Sequence, residues 1–313
     1  MSDHTPSSSP PDRGHLLTEQ RNERSQDLDA MGTLGVLQLI NDEDATIAGA
    51  VREQIVHIAA FTDRVIASLS AGGRLIYLGA GTSGRLGVLD ASECPPTFRS
   101  TPEQVVGLIA GGDRALRVSS EHREDETDGA HEVLEALDVG EHDSVLGIAA
   151  GGTTPYVLGG VELAKSLGAS TGLLTCTPIE RPDWCDVLIA VRTGPEVLTG
   201  STRMKAGTAT KLVLNMISTG AMVGLGKCYS NMMVDLRASN DKLRDRAARI
   251  ISTICGLGRD RSLALLDAAD NSVKHAIVMH SRGVDRDEAE QLIALAGGHL
   301  SKIIGEQVSG GGA

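Results

Sequence analysis

The sequence predicts a doubly wound parallel α/β sheet with an N-terminal helical arm and a small C-terminal helical unit. Three observations lead there. Between residues 74 and 191, short apolar runs alternate with stretches of helical spacing, the pattern of successive βα units. Only 2% of the 313 residues are aromatic, so the core must be built from Ala, Val, Leu and Ile, as in sheets covered by helices on both faces. Beyond Asn240 the pattern is purely helical.

Taken in order, residues 1–16 form a Ser/Pro-rich, polar tip expected to be disordered, with no apolar signal core. Residues 17–70 form the arm. It is polar and extended to about residue 30, then apolar positions recur at helical spacing in Thr33–Ile40 and Thr46–Leu69. The main domain, 71–240, offers strands at Arg74–Leu78, Gln104–Ile109, Ser144–Ala149, Thr171–Thr175 and Val187–Val191. Helices are expected between them near 84–92, 114–119, 126–137 and 154–167. A long helix over Arg203–Leu225 is too apolar to be fully solvated and belongs to the core or to a dimer interface. Helical pieces are expected at Asp241–Cys255, Arg261–Ala268, Ser272–Met279, Arg286–Ala296 and Leu300–Ile304, punctuated by Gly256, Gly258, Gly283, Gly297 and Gly298; residues 241–307 read as a small three-helix unit and 308–313 as a flexible tail.

A net charge of −12 argues against nucleic acid or an anionic membrane as partner, since both select basic surfaces. No apolar run reaches spanning length. The five cysteines are scattered and lack a Cys-x-x-Cys pair, which suggests reduced thiols in a cytoplasmic protein and no metal site.

The most informative stretch is Leu75–Leu78 followed by Gly79-Ala80-Gly81-Thr82-Ser83-Gly84, read as a strand, a glycine turn and a helix start. Freed N–H groups, the positive end of a helix dipole and the Thr82 and Ser83 hydroxyls would converge on one anion. Gly79-x-Gly81-x-x-Gly84 also fits the dinucleotide fingerprint, and paired hydroxyls suit a phosphate monoester better; spacing leaves both open. No Gly-Lys-Ser/Thr follows, which excludes a Walker loop. A second loop, Gly151-Gly152-Thr153-Thr154-Pro155, follows the third strand, with Thr154 placed to cap a helix and Pro155 in its first turn. Two such loops at the carboxyl ends of neighbouring strands could enclose one sugar phosphate. Arg203 and Lys205, after Ser201, either supply positive charge for that anion or merely open a surface helix.

The segment Gly194-Pro195-Glu196-Val197-Leu198-Thr199-Gly200-Ser201-Thr202-Arg203-Met204-Lys205-Ala206-Gly207-Thr208-Ala209, with Leu78–Pro96, closely resembles the signature shared by N-acetylmuramic acid 6-phosphate etherases and the glucokinase regulatory protein. Further etherase-like motifs are Thr18-Glu19-x-x-Asn22, Ile40–Asp44, Gly111-Gly112 with Glu124-Asp125, Asn231–Asp235 and Ala276–Met279. The resemblance spans about 17–307. It implies a sugar isomerase (SIS) domain that cleaves the D-lactyl ether of N-acetylmuramic acid 6-phosphate without metal or nucleotide cofactor. It also implies a homodimer with the sugar site near the subunit interface, in which Glu93 and Glu124 form the catalytic pair. The chain departs from the etherases at Gly151 and Thr153, where they carry Ser and Arg, and at Arg99, where they carry Gly.

The chemistry gives two carboxylates distinct work. In the open-chain sugar the C2 proton is alpha to the C1 aldehyde and the lactyl ether is beta to it, so a base at C2 and an acid at the ether oxygen together drive elimination. Water then adds back at C3. The acid needs a raised pKa, and Glu93, beside Cys94-Pro95-Pro96 on an expected rigid turn, suits it; Glu124, in an acidic run, suits the base. An aldose–ketose isomerase would need one such glutamate in the same pocket, and a non-catalytic sugar-phosphate sensor neither.

Overall fold

A computed structural model describes residues 12–118, 121–238 and 240–305. The arm opens with three 3₁₀ turns, Leu17–Glu19, Glu23–Ser25 and Leu28–Ala30. The helices α1 (Thr33–Asp44), α2 (Ile47–Arg52) and α3 (Ile55–Ser70) follow. Most of the expected disordered tip lies outside the described residues, but its last residue is packed: Leu16 is buried, and the Leu17 N–H donates to Thr177 Oγ1 at 3.2 Å. The 308–313 tail lies outside the described residues.

Strands β1 (Leu75–Gly79), β2 (Val105–Ile109), β3 (Ser144–Ile148), β4 (Ser170–Thr175) and β5 (Val187–Ala190) form one parallel sheet in the order β2-β1-β3-β4-β5. Each lies within a residue of its expected bounds. Alternation along the strands divides the core between the two faces. On one face Tyr77, Leu146 and Leu174 meet α3, α4 (Gly81–Phe98) and α8 (Lys205–Gly224) through Phe61, Val65, Ala91, Val213 and Ile217. On the other, Ile76, Leu78, Val145 and Leu173 meet α6 (His131–Ala136) and α7 (Pro155–Ser166) through Leu134, Val157 and Val161. The order 2-1-3-4-5 puts the topological switch between β1 and β3, where α/β sheets open a ligand crevice at the strands' carboxyl ends.

Three expectations are corrected. The helix after β1 does not stop before Pro95-Pro96 but continues to Phe98. The prolines forfeit two backbone donors, yet Cys94 and Phe98 are buried against the sheet and hold the last turns in place. The helix expected over 126–137 is shorter, α6 beginning only at His131 after a turn in which Gly129 lies against Tyr156, and a further short helix, α5 (Glu121–Glu124), precedes it. After the small hairpin of β6 (Cys228–Tyr229) and β7 (Met232–Met233), helices form at all five expected places, so the C-terminal unit is a five-helix rather than a three-helix one. These are α9 (Asp241–Cys255), α10 (Arg259–Ala268), α11 (Val273–Arg282), α12 (Arg286–Leu295) and α13 (Leu300–Ile304). They enclose a third apolar core that includes Ile251, Leu266, Ile277 and Leu300. Local signals set their ends: Asn240 accepts from Leu243 N–H, Ser272 from His275 N–H, Asp285 and Glu288 form a capping box, and Gly256 and Gly283 close helices in left-handed conformation. Gly258 precedes α10 instead, as its N-cap.

Among the described residues, one helical face stays unpartnered. Leu89 on α4 and Met216 and Val223 on α8, two helices packed together, are 53%, 41% and 48% exposed.

Candidate active site

At the carboxyl ends of β1 and β3, two helix N-termini open on one cavity of about 250 Å³. From α4 it is lined by Gly81, Thr82 and Ser83, and from the second loop by Gly151, Thr153, Thr154 and Pro155. The glycine turn is tighter than expected: only Ala80 separates β1 from α4, so Thr82 and Ser83 stand in the first helical turn with their N–H groups among the unbonded four. Gly81 takes φ +52°, a left-handed conformation that glycine adopts without strain. Gly84 serves packing: a Cβ there would lie 2.7 Å from Gly79 O and 2.6 Å from Ile109. At the second loop, Pro155 occupies the first helical turn and Thr154 the N-cap position, with no side-chain capping bond to occupy its hydroxyl. Both macrodipoles therefore favour negative charge in one place.

Glu124, at the end of α5, lines this cavity, as do Asp125 and Thr202. The end of the tip and the start of the arm supply a further wall through Arg13, Leu16 and Glu19, none of which the loop motifs single out. Arg13 is the only cation among these lining residues. The Thr18-Glu19-x-x-Asn22 motif was the available signal for Glu19, though spacing alone could not bring it across the sheet.

Other expected site residues fall elsewhere. Gly152 (φ +70°) shapes the loop and packs toward Ile179. Ser201 gives way to its neighbour Thr202 as the lining residue, and Arg203 is exposed away from the cavity. Lys205 neither faces the anion nor opens a surface helix. It is buried, with Nζ 2.6 Å from Glu43 Oε2. Glu43 also accepts from Asn22 at 2.9 Å and Arg24 at 2.8 Å, and Asn22 donates to Pro195 O at 3.3 Å. Burial alone would raise the Glu43 pKa; the Lys205 bond and charge, with Asn22 and Arg24, outweigh it and hold the carboxyl below its ordinary range. Glu196, fully buried, accepts from the Lys205 and Ala206 N–H groups at 2.9 Å each and so caps α8 from nine residues upstream. There burial prevails over those bonds and raises the pKa. The motifs at 22, 43, 196 and 205 thus knit the arm to the start of α8, which places Thr202 and Glu19 at the cavity.

Glu93 is the largest departure. It lies 12 residues beyond Gly81 on α4, about 18 Å along the helix, and is exposed. It borders a separate depression with Leu86, Leu89, Lys211 and Asn215 on the unpartnered α4–α8 face. Asp90 beneath it is buried and joins the two helices, accepting from Tyr77 Oη (2.9 Å), Asn215 Nδ2 (2.7 Å) and Ser218 Oγ (3.1 Å).

A five-stranded parallel sheet with two helix N-termini opening on one cavity at its switch point defines a doubly wound α/β architecture whose crevice favours an anionic ligand. In agreement, residues 57–165 match the family model of the glucokinase regulatory protein N-terminal SIS domain. Relatives are similar over nearly the whole chain. An N-acetylmuramic acid 6-phosphate etherase of Synechococcus sp. (strain CC9605) is 55% identical over 89% of each chain. The one of Synechococcus elongatus is 51% identical over 94% of this chain and 96% of that one. N-acetylmuramic acid 6-phosphate etherase 1 of Bacillus licheniformis is 48% identical over 93% and 96%. The chain belongs to the N-acetylmuramic acid 6-phosphate etherase family.

Proposed function

We propose that the chain cleaves the D-lactyl ether of N-acetylmuramic acid 6-phosphate by elimination and hydration. The products are N-acetylglucosamine 6-phosphate and D-lactate, which makes it a carbon–oxygen lyase of cell-wall amino-sugar recycling. The observation that carries this reading is the cavity where two helix N-termini, five hydroxyl-bearing lining residues (Thr82, Ser83, Thr153, Thr154, Thr202) and the Glu124 carboxylate converge, in a chain with etherase relatives across its length. The phosphate sits on the α4 and α7 N-termini, and Glu124 removes the C2 proton of the open-chain sugar. An acid then protonates the departing lactyl oxygen, and water adds across the resulting double bond at C3.

The acid in this reading is Glu93 of a second copy. A cavity of about 250 Å³ falls below the ~300–1,000 Å³ usual for ligand sites, as expected of a site that one chain leaves incomplete. Glu93 sits with Leu86 and Leu89 on the exposed α4–α8 face, where a homodimer would close over it. A monomer by light scattering would refute this arrangement. Five free cysteines suit the reducing cytoplasm, and among the described residues no helix is long and apolar enough to cross a membrane.

One observation favours a second reading: within a single chain only Glu124 of the expected pair faces the cavity, and one glutamate suffices for an aldose–ketose isomerase. Incubation with N-acetylmuramic acid 6-phosphate distinguishes them. D-lactate release supports the etherase, ketose formation without lactate the isomerase, and binding without turnover a sensor. Ser83→Ala is expected to raise KM about ten- to a hundredfold with kcat nearly unchanged, because it removes a donor to a phosphate present equally in ground and transition states. An unchanged KM would place the phosphate elsewhere.

A further inference from the structure

A larger cavity, of about 580 Å³, opens between the end of α4, the β6–β7 hairpin and α9. Its walls are apolar: Pro95 and Pro96 on one side, Met232 and Met233 of the hairpin, Leu243 and Ile250 on α9. Methionine pairs of this kind adapt to differently shaped apolar ligands. Three guanidinium groups share the lining, from Arg99, Arg237 and Arg246. Arg237 is ion-paired with Asp270, whereas among the described residues neither Arg99 nor Arg246 meets a carboxylate.

In a chain carrying 41 acidic against 29 basic residues, Arg99 and Arg246, both exposed, bring two cations to the lining of an apolar pocket. Arg99 adds a second observation. It ends α4 with φ +53° and its N–H on Pro95 O, a left-handed position that glycine fills without strain and that an arginine occupies only at a cost in energy. Strained non-glycine residues of this type cluster where a side chain has work to do. The side chain held there lines the cavity.

We propose that this cavity is a binding site for a small organic anion with an apolar body. Its carboxylate or phosphate would lie between Arg99 and Arg246, its body against the prolines, methionines and α9. A bare sugar phosphate lacks the apolar body and would gain nothing from those walls. The site is separate from the Glu124 cavity, and its lining comes from both the sheet domain and the C-terminal unit.

The probe is 8-anilinonaphthalene-1-sulfonate, followed by fluorescence on the intact protein and displaced with octanoate or octan-1-ol. Arg99→Gly and Arg246→Gln are each expected to weaken probe binding about tenfold or more, the usual consequence of losing a charge-assisted contact. The unfolding temperature should rise in Arg99→Gly, which relieves the left-handed strain, and stay constant in Arg246→Gln, showing that neither loss is unfolding. Octanoate should displace the probe at concentrations where octan-1-ol does not. The proposal is overturned if the wild type fails to bind the probe, if both variants bind it as tightly as wild type, or if the alcohol competes as well as the acid.

Discussion

Mixing Glu93→Ala and Glu124→Ala subunits, each inactive alone, is expected to restore about a quarter of wild-type D-lactate release once the chains have exchanged partners. If the site joins Glu124 of one subunit with Glu93 of the other, a mixed dimer holds one intact site and one lacking both carboxylates. Random pairing makes half the dimers mixed, and half the sites in those are complete. If both glutamates acted within one chain, no mixture would contain an intact site and activity would stay at the background of the single variants. The contrast is large, since a general acid or base contributes on the order of a hundred- to ten-thousandfold. The same variants separate the steps. Glu93→Ala should still exchange the C2 hydrogen with deuterated solvent, because abstraction precedes the blocked departure of lactate; Glu124→Ala should lose both reactions. Exchange lost in Glu93→Ala and kept in Glu124→Ala would reverse the roles, and near-normal lactate release in both would end the two-carboxylate mechanism.

The sheet was legible in the sequence because each strand is a short apolar run bounded by Gly, Asp or Thr, and all five appear within a residue of their expected places. The cavity-lining positions Gly81 to Ser83, Thr153 and Thr154 stand out in the sequence for a related reason: a strand, glycine and helix start in succession forces backbone N–H groups outward. What local spacing does not encode is contact across the sheet. Lys205 reads as a candidate anion ligand because its motif ends in basic residues, yet its partner Glu43 lies 162 positions away, and only folding shows that the cation is consumed there. Glu19 was hidden by the same distance. Glu93 was misplaced for another reason. Prolines 95 and 96 suggested a rigid turn near the site, whereas burial of Cys94 and Phe98 carries the helix through them and leaves Glu93 far from the α4 N-terminus.

Lys205→Met is expected to destabilise the fold by about 3 kcal/mol, near the lower end of the ~3–5 kcal/mol typical when one partner of a buried ion pair is removed. The variant leaves the Glu43 carboxylate buried, its side chain only 10% exposed, with Asn22 and the half-exposed Arg24 as remaining partners. Those partners keep the loss from reaching the upper end. Chemical unfolding should show it, together with a fall in unfolding temperature of roughly 5–10 °C. The pH dependence has a definite sign. In the wild type, Lys205 holds the Glu43 pKa below its ordinary 4.5, so the pair's contribution is present above that value and is lost as pH falls through the lowered one. Without Lys205, burial becomes the dominant influence and raises the pKa, so mild acid should relieve the variant by protonating Glu43 and narrow its gap to wild type. Replacing both partners, Lys205→Met with Glu43→Leu, should recover much of the stability, because no charge then remains buried. A Lys205→Met protein as stable as wild type, with KM raised instead, would mean that Lys205 binds the substrate anion after all.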